Sequence, residues 1–351
     1  MTQNVMFNKE DDVIKKKLQN PISSIFIERN FTLNNRIEYA NNFIKHFSLK
    51  SLDNFIIIKK NNYIYKDLHL NKRIGSESNY GAIYEVLYGI KPKLYIVAAK
   101  LICINVSNNK EIRIFKKVTN VILKKKTIHF PIMYFTSKIT KSPMMINSML
   151  PSALSSCNKF HIVFNEMFTG DLKMLMKSKK HNLLFVRNAI TQIFLSISNF
   201  SHYTGNLHND AHWGNFLYHK IKPGGFFYYK INNIDVYLEN IGYIWVIWDY
   251  GFAKKISSSN VHKDYSRIIH AFYPYLYNGW IPDKIYKNAD KDKGIDFALK
   301  VTKEIRNISY FDESIKSKKY LIHKILLDLY PELLIKPDDS LIINTIPYII
   351  Q

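Results

Sequence analysis

The run His208-Asn209-Asp210-Ala211-His212-Trp213-Gly214-Asn215 has the residue types and spacing to move a proton and hold a cation. In the pattern H-x-D-x-x-x-x-N, carried on a loop, one carboxylate can face a substrate hydroxyl while the amide of Asn215 reaches a metal ion. A polar loop whose Asp and Asn simply make turns reads the same in isolation. A second carboxylate, Asp249, ends the apolar run Tyr243 to Trp248 and is followed by Tyr250 and Gly251. Delivered by a strand and followed by a glycine that lets the chain turn, it suits an Mg²⁺ ligand, although Asp-Tyr-Gly alone is also an ordinary turn. Lys100 lies inside the apolar strand-like segment Tyr95 to Ile102. It either snorkels to the surface or is buried, and a buried ammonium needs an anionic partner. Glu111 is the only acidic residue between Lys100 and Glu166. With Phe115, Val118 and Ile122 it falls on one face of a helical pattern, so it can point at Lys100, or it can merely complement a helix N-terminus. Ala98 shares a strand face with Lys100 and leaves room for a flat ring.

Two weaker segments accompany these residues. Ile74-Gly75-Ser-Glu-Ser-Asn-Tyr-Gly81 could turn backbone N–H groups toward phosphates, and a plain β-hairpin would look similar. Phe164 to Leu172 is an extended connection in which the backbone at Glu166 could meet the edge of an adenine and Asp171 a ribose. A surface loop would look much the same.

These residues need rigid elements. From Leu68 to Ile102 the chain reads as strands punctuated by glycine, and from about Asp171 onward helical periodicity dominates. The clearest helix runs from Asn182 to Tyr203, with Ile193, Phe194, Ile197 and Phe200 on one face. Residues 1–66 read as an extension with helical patches such as Arg36 to Phe47, and no chemistry is assigned to them. Residues 67–166 read as a strand-rich lobe and 167–351 as a helical lobe, with an inserted β-hairpin at about 218–246 signalled by Pro223-Gly224-Gly225 and aromatic runs. The predicted fold class is therefore α+β, a small antiparallel β lobe joined to a larger helical one. At 351 residues, 47% hydrophobic, the chain can bury a large core. No stretch approaches an uninterrupted apolar span for a membrane, and the start lacks the basic then apolar character of a signal peptide, so a soluble intracellular protein is expected. Cys103 and Cys157 have no metal-ligand spacing and are expected to be unpaired packing residues in a reducing compartment. The net charge of +22 favours acidic partners. It is carried mostly by lysine, so nucleic acid is admitted by charge but not by specific base readout.

Taken in order, glycine loop, strand lysine, helix glutamate, connecting segment, His-x-Asp loop and Asp-Tyr-Gly, residues 68–270 resemble the eukaryotic protein-kinase superfamily. That resemblance implies an ATP- and Mg²⁺-dependent serine/threonine kinase. Lys100 would hold the α and β phosphates, Glu111 would orient it, Asp210 would accept the substrate proton and His208 would brace the loop. Asn215 and Asp249 would bind Mg²⁺, while Gly75, Gly81, Ala98, Glu166 and Asp171 would surround the nucleotide. The departures are a glycine loop with one extra residue, His212 where most such kinases carry lysine, Asn209 where many carry arginine, and no Ala-Pro-Glu. The segment Asp210 to Asn215 is similar to haspin-type kinases and partly to aminoglycoside and choline phosphotransferases. Together with abundant Lys, Asn and Ile, the pattern most resembles divergent kinases of large nucleocytoplasmic DNA viruses. That implies a protein substrate, acidic or virion-associated, and a location in host cytoplasm or virion. A small-molecule kinase and an inactive scaffold remain as alternatives. Asp264-Tyr265-Ser266-Arg267 resembles the start of the helix that anchors the catalytic loop.

Overall fold

The computed structural model describes residues 32–47, 57–59, 62–65, 68–74, 81–88, 95–140, 154–178, 182–256, 263–272, 293–310 and 322–350. It is a mixed α+β protein whose sheets are mainly antiparallel. Helix α1 (Leu33–His46) comes first, then β1 (Ile57–Lys59), β2 (Asn62–Tyr65), β3 (Leu68–Ile74), β4 (Ala82–Tyr88) and β5 (Tyr95–Cys103). Helix α2 (Val106–Leu123) leads to β6 (Met133–Thr140) and β7 (Lys159–Asn165), closing a seven-stranded sheet in the order β1-β2-β3-β4-β5-β7-β6.

The boundary expected after residue 66 falls inside this sheet. β2 pairs with β3 through Tyr63 and Leu70, and α1 packs against the sheet through Phe43 and Phe47, which meet Tyr88, Phe135 and Phe164. Helix α1 and the strands β1 and β2 are thus part of the same unit as the sheet, and α1 with its C-cap Phe47 buries Leu33, Arg36, Ala40, Phe43 and Phe47 along one helical stripe. The expectation for the cysteines is also corrected. Cys103 and Cys157 form a disulfide, with Cα atoms 5.9 Å apart. Their linear separation hid the pairing of β5 with β7, which sets Cys103 opposite Phe160.

After β8 (Gly170–Asp171) and α3 (Leu172–Ser178), the apolar helix α4 (Leu183–Thr204) runs through the remainder of the protein. Asn182 caps it by accepting the Phe185 N–H, and Gly205, at φ 72°, ends it in a left-handed turn that a side chain would strain. Among the described residues α4 alone is long and apolar enough to cross a membrane, but most of it is packed inside the protein.

Next come β9 (Asn206–Leu207), β10 (Phe216–Lys220), β11 (Phe226–Ile231), β12 (Ile234–Glu239) and β13 (Tyr243–Ile247). β14 (Lys254–Lys255), α5 (Lys263–Phe272), α6 (Lys293–Tyr310) and β15 (Tyr348–Ile350) complete the described elements. The predicted insertion is a hairpin of β11 and β12 turned at Asn232 and Asn233, both at positive φ as a tight two-residue turn demands. Its parallel partner is the C-terminal β15. β10 and β13 pair with each other outside the hairpin. The other edge of β13 is satisfied by side chains: Gln192 of α4 accepts the Trp245 N–H and donates to Tyr243 O, and His129 Nδ1 bonds Trp245 O. A strand held from both sides is a firm base for Asp249.

Candidate functional site

Lys100 projects from the middle of β5, and its Nζ lies 2.6 Å from Glu111 Oε1 and 3.0 Å from Asp249 Oδ1. Strand alternation puts Lys100 and Ala98 on one face of the sheet. Helix α2 buries Glu111, Phe115, Val118 and Ile122, so the glutamate faces inward as its spacing predicts. Burial alone would depress the lysine, but Asp249 and Glu111 outweigh it and hold the ammonium above its ordinary range. Burial pushes the Glu111 carboxyl up, with Lys100 opposing. Burial would also raise Asp249, yet Lys100 holds it below the ordinary carboxylate value. The lysine is thus a fixed positive charge between two carboxylates. Gly81 lies against it: a Cβ there would stand 2.9 Å from Ile102 Cγ2 and 3.3 Å from Lys100 Cε.

Asp249 has φ 65°, a strained value for a non-glycine residue that turns its carboxylate off the end of β13. Phe115 and Trp248 meet edge to face at 5.3 Å, and Phe115, Tyr250 and His208 form a ring column with centroids about 6 Å apart. Helix α2, the Asp-Tyr-Gly segment and the His208 loop are therefore packed as one body. Lys110 Nζ adds a 2.6 Å bond from α2 to Ala253 O.

The loop 208–215 is held from below by α5. Asp264 accepts the backbone N–H of His208 (2.7 Å) and of Asn209 (2.8 Å), the anchoring expected from its sequence context. His208 Nε2 lies 2.8 Å from Trp248 O. Because a carbonyl only accepts, Nε2 carries the proton. Burial lowers the His208 pKa and keeps the ring neutral, so it braces the loop. Asn209 occupies φ 62°. Asn215 Nδ2 donates to Asp210 O at 2.9 Å and lies 3.3 Å from Asp210 Oδ2, while Trp248 N donates to Asn215 O. The last bond sets Asn215 next to the strand end that carries Asp249. The structure thus joins Lys100, Glu111, Asp249, Asn215, Asp210, His208 and Gly81 in one continuous set.

Other expected residues are placed differently. Gly75 lies outside the described residues. Asp171 caps α3 through Oδ1, which accepts the Met174 N–H at 2.7 Å. Both backbone groups of Glu166 are engaged internally: its N–H donates to Ile132 O and its carbonyl accepts from Asn165 Nδ2. Its side chain is sealed in a separate network, accepting from Arg36 Nε and Nη2, the Ile132 N–H and His219 Nε2. Burial would raise that carboxyl, but Arg36 and then His219 hold it down at about 2. Glu166 is a structural anchor in its side chain, a role its connecting-segment position did not suggest.

Two contributors were missed. Arg267, three residues after Asp264 and so on the same helical face, donates to Asn209 O at 2.8 Å and lies 3.5 Å from Asp210 Oδ1. His212 Nε2 lies 3.5 Å from Asp210 Oδ2, with Nδ1 accepting the Gly214 N–H. Arginine on the helical segment next to an anchoring aspartate was the available signal. The chain matches no protein-family model and no curated protein, so the roles of these residues are argued from their own geometry.

Proposed function

We propose that the protein is a kinase-type phosphotransferase that moves the γ-phosphoryl group of ATP to a serine or threonine hydroxyl of a protein, with Mg²⁺. The observation that carries this reading is Lys100 Nζ held between Glu111 and Asp249, beside a loop that sets Asp210 and Asn215 together. In this reading the seven-stranded sheet and the helix-rich remainder are the two lobes, and nucleotide binds between them.

The donor set fits magnesium. Mg²⁺ takes oxygen ligands, keeps several waters, and is typically held by one or two carboxylates together with substrate phosphates. Asp249, whose side chain is 35% exposed, and the Asn215 carboxamide supply such oxygens. When bound there, the ion would neutralise charge on the phosphates. Lys100 would bind phosphate oxygens without needing to gain or lose a proton, since its two carboxylates keep it charged. Glu111 fixes its direction. Asp210 takes the proton of the acceptor hydroxyl as that oxygen bonds to the γ-phosphorus and the bond to the ADP oxygen breaks. Arg267 and Asn215 hold the Asp210 carboxylate in place. The net charge of +22 suits an acidic protein substrate.

The test is transfer of labelled γ-phosphate by the full chain with Mg²⁺, offered a mixture of proteins in one arm and aminoglycosides and choline in another. Label in phosphoserine or phosphothreonine, lost in Lys100→Met, is expected. Label only in a small molecule would move the assignment to that class of phosphotransferase.

A further inference from the structure

Asn165 ends β7 directly opposite Ala98, as Val163 stands opposite Lys100. Residues paired across antiparallel strands share a face, so Asn165 lies on the side of the sheet that carries Ala98 and Lys100. Its neighbour Phe164 takes the other side, among Phe43, Phe47 and Phe135. Around Ala98 the side chains of Ile74, Ile83, Leu87, Ile96 and Met167 form a small apolar cluster separate from the main core. A polar carboxamide at the border of an apolar cluster has to be satisfied.

Only half of it is. Asn165 is 2% exposed, and its Nδ2 donates to Glu166 O at 2.8 Å. Its buried Oδ1 has no hydrogen-bond partner among the described residues. Chemistry fixes which end is which: Glu166 O can only accept, so the NH₂ group must face it and the oxygen must face away. The same bond, with that from Glu166 N–H to Ile132 O, engages both backbone groups of the residue expected to read an adenine edge.

We infer that Asn165 Oδ1 is the acceptor for the 6-amino group of a purine and makes the site selective for adenine over guanine nucleotides. The inference rests on the phosphotransferase reading and adds to it the residue that chooses the base. A carboxamide oxygen there attracts an amine. It repels the 6-oxo group of guanine, because two acceptors would face each other across a dry contact. Asn165 is a specificity-determining residue under this assignment, and its removal leaves the phosphate-handling residues untouched.

The experiment is calorimetric titration of the full chain, in Mg²⁺, with ATP, GTP and purine riboside triphosphate, which has hydrogen in place of the 6-amino group. Phosphoryl transfer from ATP is measured in parallel. The wild type should bind ATP about tenfold more tightly than the purine analogue, the range of one net hydrogen bond, and should bind GTP more weakly still. In Asn165→Leu the affinities for ATP and the analogue should converge to within about twofold. Asn165→Val, which suits a strand, serves as the second variant if the leucine protein does not fold. The unmodified protein decides the matter even if neither does, because equal affinity for ATP and the analogue overturns the inference. A preference that survives in the variants overturns it too. Either result with phosphoryl transfer intact leaves the phosphotransferase reading standing; failure of every nucleotide to bind overturns both.

Discussion

The networks around Lys100 and around Glu166 use the same chemistry and differ in what they leave unused. At Glu166 the carboxylate accepts from Arg36, His219 and the Ile132 N–H, and Arg36 spends further donors on Ile128 O and Phe130 O. Both side chains of that pair are at most 4% exposed. At Lys100 the ammonium and Glu111 are buried, but the third member, Asp249, remains 35% exposed on a strained backbone. A closed network can only hold elements together; an open one keeps charge available for a ligand. Arg36 joins α1, the 128–130 segment and the end of β7, which is the work of a bolt. Lys100 joins a strand, a helix and the end of β13, yet still offers charge outward.

The sharpest way to break this contrast is to remove one member of each network and compare what is lost. Lys100→Met should reduce phosphoryl transfer by about a thousandfold or more, the size of losing a preorganised charge aimed at the reacting group. Its unfolding midpoint in urea should change less than in a variant of the sealed pair, because Met fills the stem's volume, Asp249 is partly exposed, and burial favours the protonated form of Glu111 once the lysine is gone. Asp249→Asn should behave likewise. Near wild-type turnover at saturating ATP in either variant would remove Lys100 and Asp249 from the site.

Arg36→Met should do the reverse. Deleting one partner of a sealed ion pair strands a buried charge, at a cost of about 3–5 kcal/mol in stability. Transfer per folded molecule should fall much less than in Lys100→Met. Chemical denaturation monitored by Trp fluorescence measures the first, and single-turnover assays on the folded fraction the second. A wild-type denaturation curve for this variant would show that the anchor is not structural.

Glu166 also gives the contrast a pH signature. Its carboxyl is depressed from 4.5 to about 2 in the folded protein. A depressed acid stabilises the fold above its unfolded value and loses that contribution as pH falls through the folded value. The window is thus from about pH 4.5 down to about 2, and the difference corresponds to roughly 3 kcal/mol. Denaturation midpoints for the wild type should drop across that window. In Arg36→Met the drop should shrink, because the cation that depresses Glu166 is gone. Parallel curves for the two proteins would assign the acid limb to other carboxylates.

Legibility followed the same division. The members of the open network stood out because each breaks a local pattern: a lysine in a strand, a glutamate on the apolar face of a helix, an aspartate ending a strand. The closed network was hidden because its parts lie far apart in the chain. Arg36 alone broke a pattern, being an arginine on the stripe Leu33, Ala40, Phe43 and Phe47. Reading 1–66 as an appendage concealed it. Strand pairing across long separations concealed the Cys103–Cys157 bond for the same reason, whereas the β11–β12 hairpin was legible because its turn is local.

The smallest effect is expected in the segment after Asp249, where the comparison concerns phosphate-built and phosphate-free attachment. In many regulated kinases an arginine before the catalytic aspartate docks a phosphorylated segment through charge-assisted bonds. Here that residue is Asn209, which cannot supply the charge, and docking is achieved without it. Asn209 Nδ2 lies 3.3 Å from Phe252 O, and β14 pairs with β9 through Lys254 to Leu207 and Lys255 to Asn206. Arg267, which lies 3.5 Å from Asp210, is already donating to Asn209 O. Ser257, Ser258 and Ser259, which lie outside the described residues, are the sites a switch would use. Replacing all three by alanine, or treating the purified protein with phosphatase, should therefore change phosphoryl transfer by less than about twofold, since the attachment needs no added charge. Replacing Asn209 by alanine should cost more than the triple change, because it removes a bond that already holds the segment. If the serine variant lost most of its activity while Asn209→Ala kept it, the attachment would be phosphate-built after all, and the cations facing it would have to come from another part of the chain.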